Sequence, residues 1–148
     1  MLSLRSILVP TDFSETSDKA LDFAIELAQK FEASVVVMHA FEIPIIGFPD
    51  GSIVATADVA ARIQEAARKG LEGTVAARAK RNVKLTSVLR EGPAADEIRS
   101  LAEELKVDMI VIGTHGRRGL ARALLGSTAE NVVRTVHIPI LTIHGPRD

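Results

Sequence analysis

The 148-residue chain contains no cysteine, which excludes disulfides, thiolate metal ligands and a thiol nucleophile. Its four histidines are scattered without the spacing of a metal site. An excess of either charge is also lacking. The formal net charge is -1 and the pI about 6.4, so no general electrostatic grip on nucleic acid or on an anionic membrane is expected. No apolar run approaches the roughly 20 residues that a membrane-spanning helix requires. The opening residues offer no long apolar stretch of the secretory kind, and the expectation is a cytoplasmic protein. Three common motifs are missing as well. No G-x-G-x-x-G follows the first apolar segment, no G-x-x-x-x-G-K-[ST] occurs, and no G-x-S-x-G is present. The dinucleotide fingerprint, the P-loop and the nucleophile elbow of many hydrolases therefore do not apply.

What is present is an alternation of short apolar runs and amphipathic segments. With 47% apolar residues the chain can bury about two-thirds of its unfolded surface in one core, so a single domain over residues 1–148 is expected. Strands are predicted at 6–9, 34–41, 82–89, 108–112 and 138–143. The runs at 34–41 and 108–112 are apolar on consecutive residues, as in a sheet covered on both faces. Helices are predicted at about 14–31, 57–80, from Gly92-Pro93 to about 105, and at 128–136. Apolar residues recur on one face of each, for instance Leu21, Ala24, Ile25 and Ala28, then Val59, Ile63, Ala67, Leu71 and Val75, then Ile98, Leu101, Ala102 and Leu105. Gly70 and Gly73 weaken the long second helix. Between 42 and 52 the residues Pro44, Gly47, Pro49 and Gly51 break any element, while Ile43, Ile45, Ile46 and Phe48 demand cover. The alternation predicts an α/β fold, a doubly wound parallel sheet with helices on both faces.

The most informative run begins where the strand at 108–112 stops at Gly113. Gly116 follows, then a basic stretch with Arg117, Arg118 and Arg122, and then Gly126-Ser127 at a helix start. Glycines let backbone N–H groups approach an anion closely, and the unpaired amides and positive end of a helix complete such a cradle. Ligands in this architecture lie outside the carboxyl ends of the strands, where the winding reverses. Strand one ends at Asp12 and strand four at Gly113, so adjacency of those strands would set both on one crevice. An ionised carboxylate only accepts hydrogen bonds, which suits Asp12 to sugar hydroxyls or a base amino group and the helix amides to phosphates. Arg117 and Arg118 could add donors to the outer phosphates. Other roles stay open for the same residues. Ser127 with Glu130 has capping-box spacing, Asp12 ahead of Ser14 suits a turn, and Gly92-Pro93 suits a helix start with Pro93 in its first turn. His39 reads as a hydrogen-bonded core histidine, His115 as a phosphate contact or a solvated loop residue, and Arg117, Arg118 and Arg122 also suit a solvated surface.

Val9-Pro10-Thr11-Asp12, His39-Ala40, Glu91-Gly92-Pro93 and the spaced Gly113-x-x-Gly116-x9-Gly126-Ser127 resemble the ATP-binding branch of the universal stress protein family across essentially the whole chain. The resemblance implies a five-stranded sheet of order 3-2-1-4-5, Rossmann-like and akin to the adenine nucleotide alpha hydrolases, together with bound ATP and a homodimer paired through the last strand. The adenosine end would lie near Pro10, Thr11, Asp12 and Ala40. The phosphates would lie near Gly113, Gly116, Gly126, Ser127 and Thr128, with Arg117 added on the strength of its charge. Mg²⁺ would ride on the phosphates with few protein ligands.

The expected function is a nucleotide-dependent regulator of a stress response that acts through its dimer or an unidentified protein partner. No catalytic residue and no protein metal ligand is assigned. Hydrolysis of ATP would be slow at most, since no residue near the glycines is placed to orient water. The competing expectation is a nucleotide-free interaction module with the apolar 43–48 segment and the last strand as contact surfaces. Ile140, Leu141 and Ile143 stand on an expected edge strand, where unpaired backbone groups invite a two-fold partner beyond Pro139.

Overall fold

Ile7, Leu8 and Val9 follow one another in the sequence, and all three are completely buried. Only a strand covered on both faces accommodates three consecutive apolar residues in this way. In the computed structural model, which describes residues 2–51, 53–54, 57–114 and 125–145, they form the middle of β1 (Ser6–Pro10). The remaining elements are α1 (Glu15–Phe31), β2 (Ser34–Phe41), β3 (Ile46–Gly47), β4 (Ile53–Val54), α2 (Ala57–Ala76), β5 (Leu85–Glu91), α3 (Ala94–Leu105), β6 (Met109–Gly113), α4 (Ser127–Thr135) and β7 (Ile140–Ile143).

Five strands form one sheet in the order β5-β2-β1-β6-β7, every pairing parallel. Numbered among themselves these strands run 3-2-1-4-5, the expected order of the doubly wound fold. The chain winds outward from β1 through β2 to β5, then crosses back to β6 and continues to β7. β1 and β6 are thus neighbours, with Ile7 opposite Met109 and Leu8 opposite Ile110. Alternate side chains divide the core into two layers. Ile7, Val9, Val35, Val37 and Val111 pack with Leu21 and Ile25 of α1 and Leu71 of α2. Leu8, Met38, Ile110 and Ile112 pack with Ile98 and Leu101 of α3 and Val132 of α4.

The structure departs from the sequence expectations in several places. The 42–52 segment, expected to be irregular, carries β3, which pairs antiparallel with β4 just beyond it. Of the inner face foreseen for α2, Ala67 and Leu71 are buried but Val59 is 42% exposed, because only the carboxyl-terminal half of this helix lies over the sheet. Arg78 secures that half, donating to Asp22 Oδ1 at 2.8 Å and to the Thr74 carbonyl at 2.9 Å. α2 also ends at Ala76 rather than near Lys80, and β5 starts at Leu85 rather than Asn82. Leu105, expected to face inward, is 42% exposed at the end of α3. Pro93 caps α3 from outside its first turn, with φ -59° and ψ 130°.

Two glycines are required by close approach. A Cβ on Gly70 would stand 2.8 Å from the ring of Phe13, so this position admits the β1–α1 turn beneath α2 instead of merely loosening the helix. A Cβ on Gly113 would stand 2.9 Å from Thr16 Cγ2 and 3.3 Å from the Thr16 carbonyl. The bare side of Gly113 therefore lets α1 pack against the end of β6. Gly113→Ala is expected to lower unfolding stability by about 1–3 kcal/mol. The double variant Gly113→Ala with Thr16→Ser should recover part of that loss in urea titrations, since it removes the nearest clashing methyl.

Candidate functional site

A cleft of about 310 Å³ opens at the carboxyl ends of β1, β2 and β6, where the winding reverses, and its size suits a small molecule. Pro10 lines it from the end of β1 and Thr11 and Asp12 from the turn that follows, Ala40 from β2, Gly113 from β6, and Gly126, Ser127 and Thr128 from the start of α4. The structure thus gathers eight of the ten residues proposed from sequence around one cavity. The other two, Gly116 and Arg117, lie outside the described residues, as do His115, Arg118 and Arg122.

The turn after β1 is fixed by a chain of hydrogen bonds. The Thr11 amide donates to the Met38 carbonyl at 2.8 Å, which ties the turn to β2. Phe13 N–H donates to Thr11 Oγ1 at 3.0 Å, and that hydroxyl lies 3.1 Å from Ser17 Oγ. Ser17 Oγ in turn donates to Asp12 Oδ1 at 3.0 Å, which also accepts from Ser14 N–H at 3.0 Å. Asp12 is therefore a turn residue, as its spacing from Ser14 suggested, and it also faces the cleft. The two roles are compatible because a carboxylate has about four acceptor positions. Ser14 caps α1 by accepting from the Ser17 amide at 3.2 Å. Phe13 pays for this compact turn with a left-handed φ of 65°, held by its own N–H bond and by its ring, which lies 4.3 Å from that of His39.

The opposite wall is the start of α4, and here the capping-box expectation is overturned. Gly126, not Ser127, is the N-cap, with extended φ -66° and ψ 158° and no side-chain bond to the helix amides. Ser127 is already inside the helix, and Glu130 pairs with Arg134 at 2.8 Å instead of reaching back. The first intrahelical bond runs from Glu130 N–H to the Gly126 carbonyl. The amides of Ser127, Thr128 and Ala129 precede it and have no intrahelical acceptor. Gly126 N–H is not among the open donors, since it bonds the Thr114 carbonyl. Thr114 itself is fully buried, its N–H on the Ile143 carbonyl at 2.9 Å and its hydroxyl 3.4 Å from His144 Nδ1.

The apolar floor comes from Met38, Ile112 and Ala129, and α3 adds Ala94 and Ile98. The α3 wall was not assigned from sequence, although Gly92-Pro93 at the end of β5 starts that helix on the same sheet edge. Gly92 has φ 143° and bonds the Phe41 carbonyl at 2.9 Å, which delivers Ala94 to the cleft. Ser17 and Thr114 also escaped notice, because hydroxyl residues beside a helix cap or a glycine carry no distinctive pattern. No group of three histidine or acidic side chains among the described residues is arranged to hold a metal ion, and no described helix is long and apolar enough to cross a membrane.

Comparison with known proteins places this geometry. The profile of the Universal stress protein family matches residues 3–144. Universal stress protein MJ0531 of Methanocaldococcus jannaschii is 34% identical over 145 residues, spanning 97% of this chain and 84% of its own. A universal stress protein of Methanothermobacter thermautotrophicus is 35% identical, spanning 95% of this chain and 93% of its own. Among solved structures, MJ0577 superposes with a TM-score of 0.83 at 24% identity, over 99% of this chain and all of that one. A universal stress protein solved in complex with cAMP gives 0.73 at 22% identity over 98% and 100% of the two chains. One from Archaeoglobus fulgidus in complex with dAMP gives 0.65 at 21% over 97% and 99%. Sequence identity over nearly the full length, the shared strand order and the cleft at the winding reversal lead to one conclusion: the chain belongs to the universal stress protein family.

Proposed function

We propose that this protein binds an adenine nucleotide, ATP by preference, in the cleft between β1 and β6, and that the bound nucleotide regulates its contacts with a second copy or with another protein in a stress response. The observation that carries this reading is the polarity of the cleft. One end offers acceptors centred on the Asp12 carboxylate, and the other offers the amides of Ser127, Thr128 and Ala129 at a helix start without a side-chain cap. Phosphates seek that positive helix end, and sugar hydroxyls or a base amino group seek the carboxylate. The relatives of this fold that hold cAMP and dAMP support the same ligand class. Pro10, Thr11, Asp12 and Ala40 would contact the nucleoside; Gly113, Gly126, Ser127 and Thr128 would face the phosphates, with Gly116 and Arg117 assigned there from sequence alone. Mg²⁺ would be carried on the phosphate oxygens.

Gly126 has a backbone conformation open to any residue, so its lack of a side chain answers to space, not strain. Gly126→Val should therefore fold with a Tm near that of the wild type, yet lose roughly 3 kcal/mol of ATP binding, about a hundredfold in Kd. Calorimetric titration of nucleotide-stripped protein measures this. Affinity should also fall stepwise from ATP to ADP to AMP, and more steeply at low than at high ionic strength. A folded wild type that carries no nucleotide after purification and takes up none in titration would leave the nucleotide-free interaction module as the surviving account.

The homodimer is proposed through β7. This strand has β6 on one side and no described strand on the other, and Ile140, Leu141 and Ile143 are each only half-buried. Sedimentation across a range of ATP concentrations should show a dimer whose population responds to the nucleotide. A monomer at every concentration would remove the edge-strand assignment.

A further inference from the structure

We infer that Ala94 of α3 is a specificity-determining residue of the cleft, where its small side chain keeps open an apolar slot that selects two-ring over one-ring nucleobases. The inference rests on the nucleotide reading above and deepens it by naming purine nucleotides as the ligand class. Ile98, Leu101 and Ala102 are the buried residues of α3, and Ala94 stands four positions before Ile98, so all four share one face of the helix. That face meets the sheet. Ile98 is buried in the layer with Met38 and Ile112, whereas Ala94, one turn nearer the start of the helix, is only half-buried. It carries the inner face of α3 to the carboxyl edge of the sheet, so its methyl borders the cleft instead of the core.

The walls of the cleft differ in chemistry. Pro10, Met38, Ala40 and Ile112 line it from one face of the sheet, between α3 on one side and α4 on the other. On the α4 side stand the hydroxyls of Ser127 and Thr128 and the open helix amides, while Ala94 and Ile98 bring only hydrocarbon side chains. Glu97, packed against Gly92 at the start of α3, sets a carboxylate near that end, which repels phosphate. The phosphates therefore belong at α4 and the base at α3. With no polar side chain on the α3 wall, the base is chosen there by the apolar area it covers, and a purine covers more than a pyrimidine. A branched side chain at position 94 would take the place of the second ring.

The test is titration of the full, nucleotide-stripped chain with ATP, CTP and tripolyphosphate, with Tm followed for each variant. CTP keeps an amino group beside a ring nitrogen and loses the second ring, so the comparison isolates ring size. The wild type should bind ATP about tenfold or more tightly than CTP. Ala94→Leu adds bulk in a residue well suited to a helix, and should fold with a Tm within a few degrees of the wild type. It should weaken ATP by about tenfold or more, change CTP by less than about threefold and leave tripolyphosphate, which reads the α4 wall alone, unchanged. Equal wild-type affinities for ATP and CTP, or a folded Ala94→Leu that binds ATP as the wild type does, overturns this inference alone. Loss of all three ligands together in Ala94→Leu does the same, since it assigns residue 94 to the cleft as a whole. A wild type that binds no adenine nucleotide overturns the parent reading and this one with it.

Discussion

The lateral pairing of β1 with β6 is the constraint on which the rest of the molecule depends. Two strands separated by about a hundred residues of chain lie side by side because the winding turns outward from them in both directions. The connections that leave their carboxyl ends therefore diverge, α1 to one face and α4 to the other, and a crevice stays open between them. Each described residue with a claim on a ligand lines that crevice. The backbone bonds that hold the rim, Thr11 N–H to Met38, Thr114 N–H to Ile143 and Gly126 N–H to Thr114, all tie it to the sheet or to the loop beside it.

This arrangement assigns different work to glycines that look alike in the sequence. Gly113 is bare toward Thr16 and so serves the packing of α1 on β6, whereas Gly126 occupies an ordinary extended conformation and lines the cleft. Gly70 accepts the ring of Phe13, whose left-handed backbone is a cost borne by the turn that presents Asp12. Strain at the turn, the stacked His39 and the gap in α2 are one packing unit. A glycine signature read as uniform spacing is thus a mixture of requirements, some set by helix packing and some by the wall of the cleft.

Much of this was legible beforehand. Consecutive apolar residues in β1, β2 and β6 signal a sheet buried on both faces, and α1 shows its inner face through Leu21, Ala24, Ile25 and Ala28, all buried as expected. The cleft residues were legible because strand ends and helix starts carry local marks: Pro10 and Asp12 after one strand, Gly113 after another, Gly126 before a helix. The errors have equally local causes. Ser127 with Glu130 satisfies the capping-box spacing, yet Gly126 adopts the capping conformation one residue earlier and Glu130 turns to Arg134. Val59 and Leu105 keep helical periodicity past the point where the sheet beneath them ends, so the pattern continues while the burial does not.

The order of hydrophobic runs and breakers by itself determined the class of fold, the parallel sheet and the segments that end at its active edge, because burial on two faces leaves a mark on every residue of a strand. Only the tertiary structure decided which of those ends share a cavity, that α3 supplies a wall, and that His39 Nδ1 meets the Thr11 carbonyl. The reason is physical: a hydrogen bond or a contact between residues distant in the chain depends on where two elements meet, and no periodicity within either element encodes that meeting.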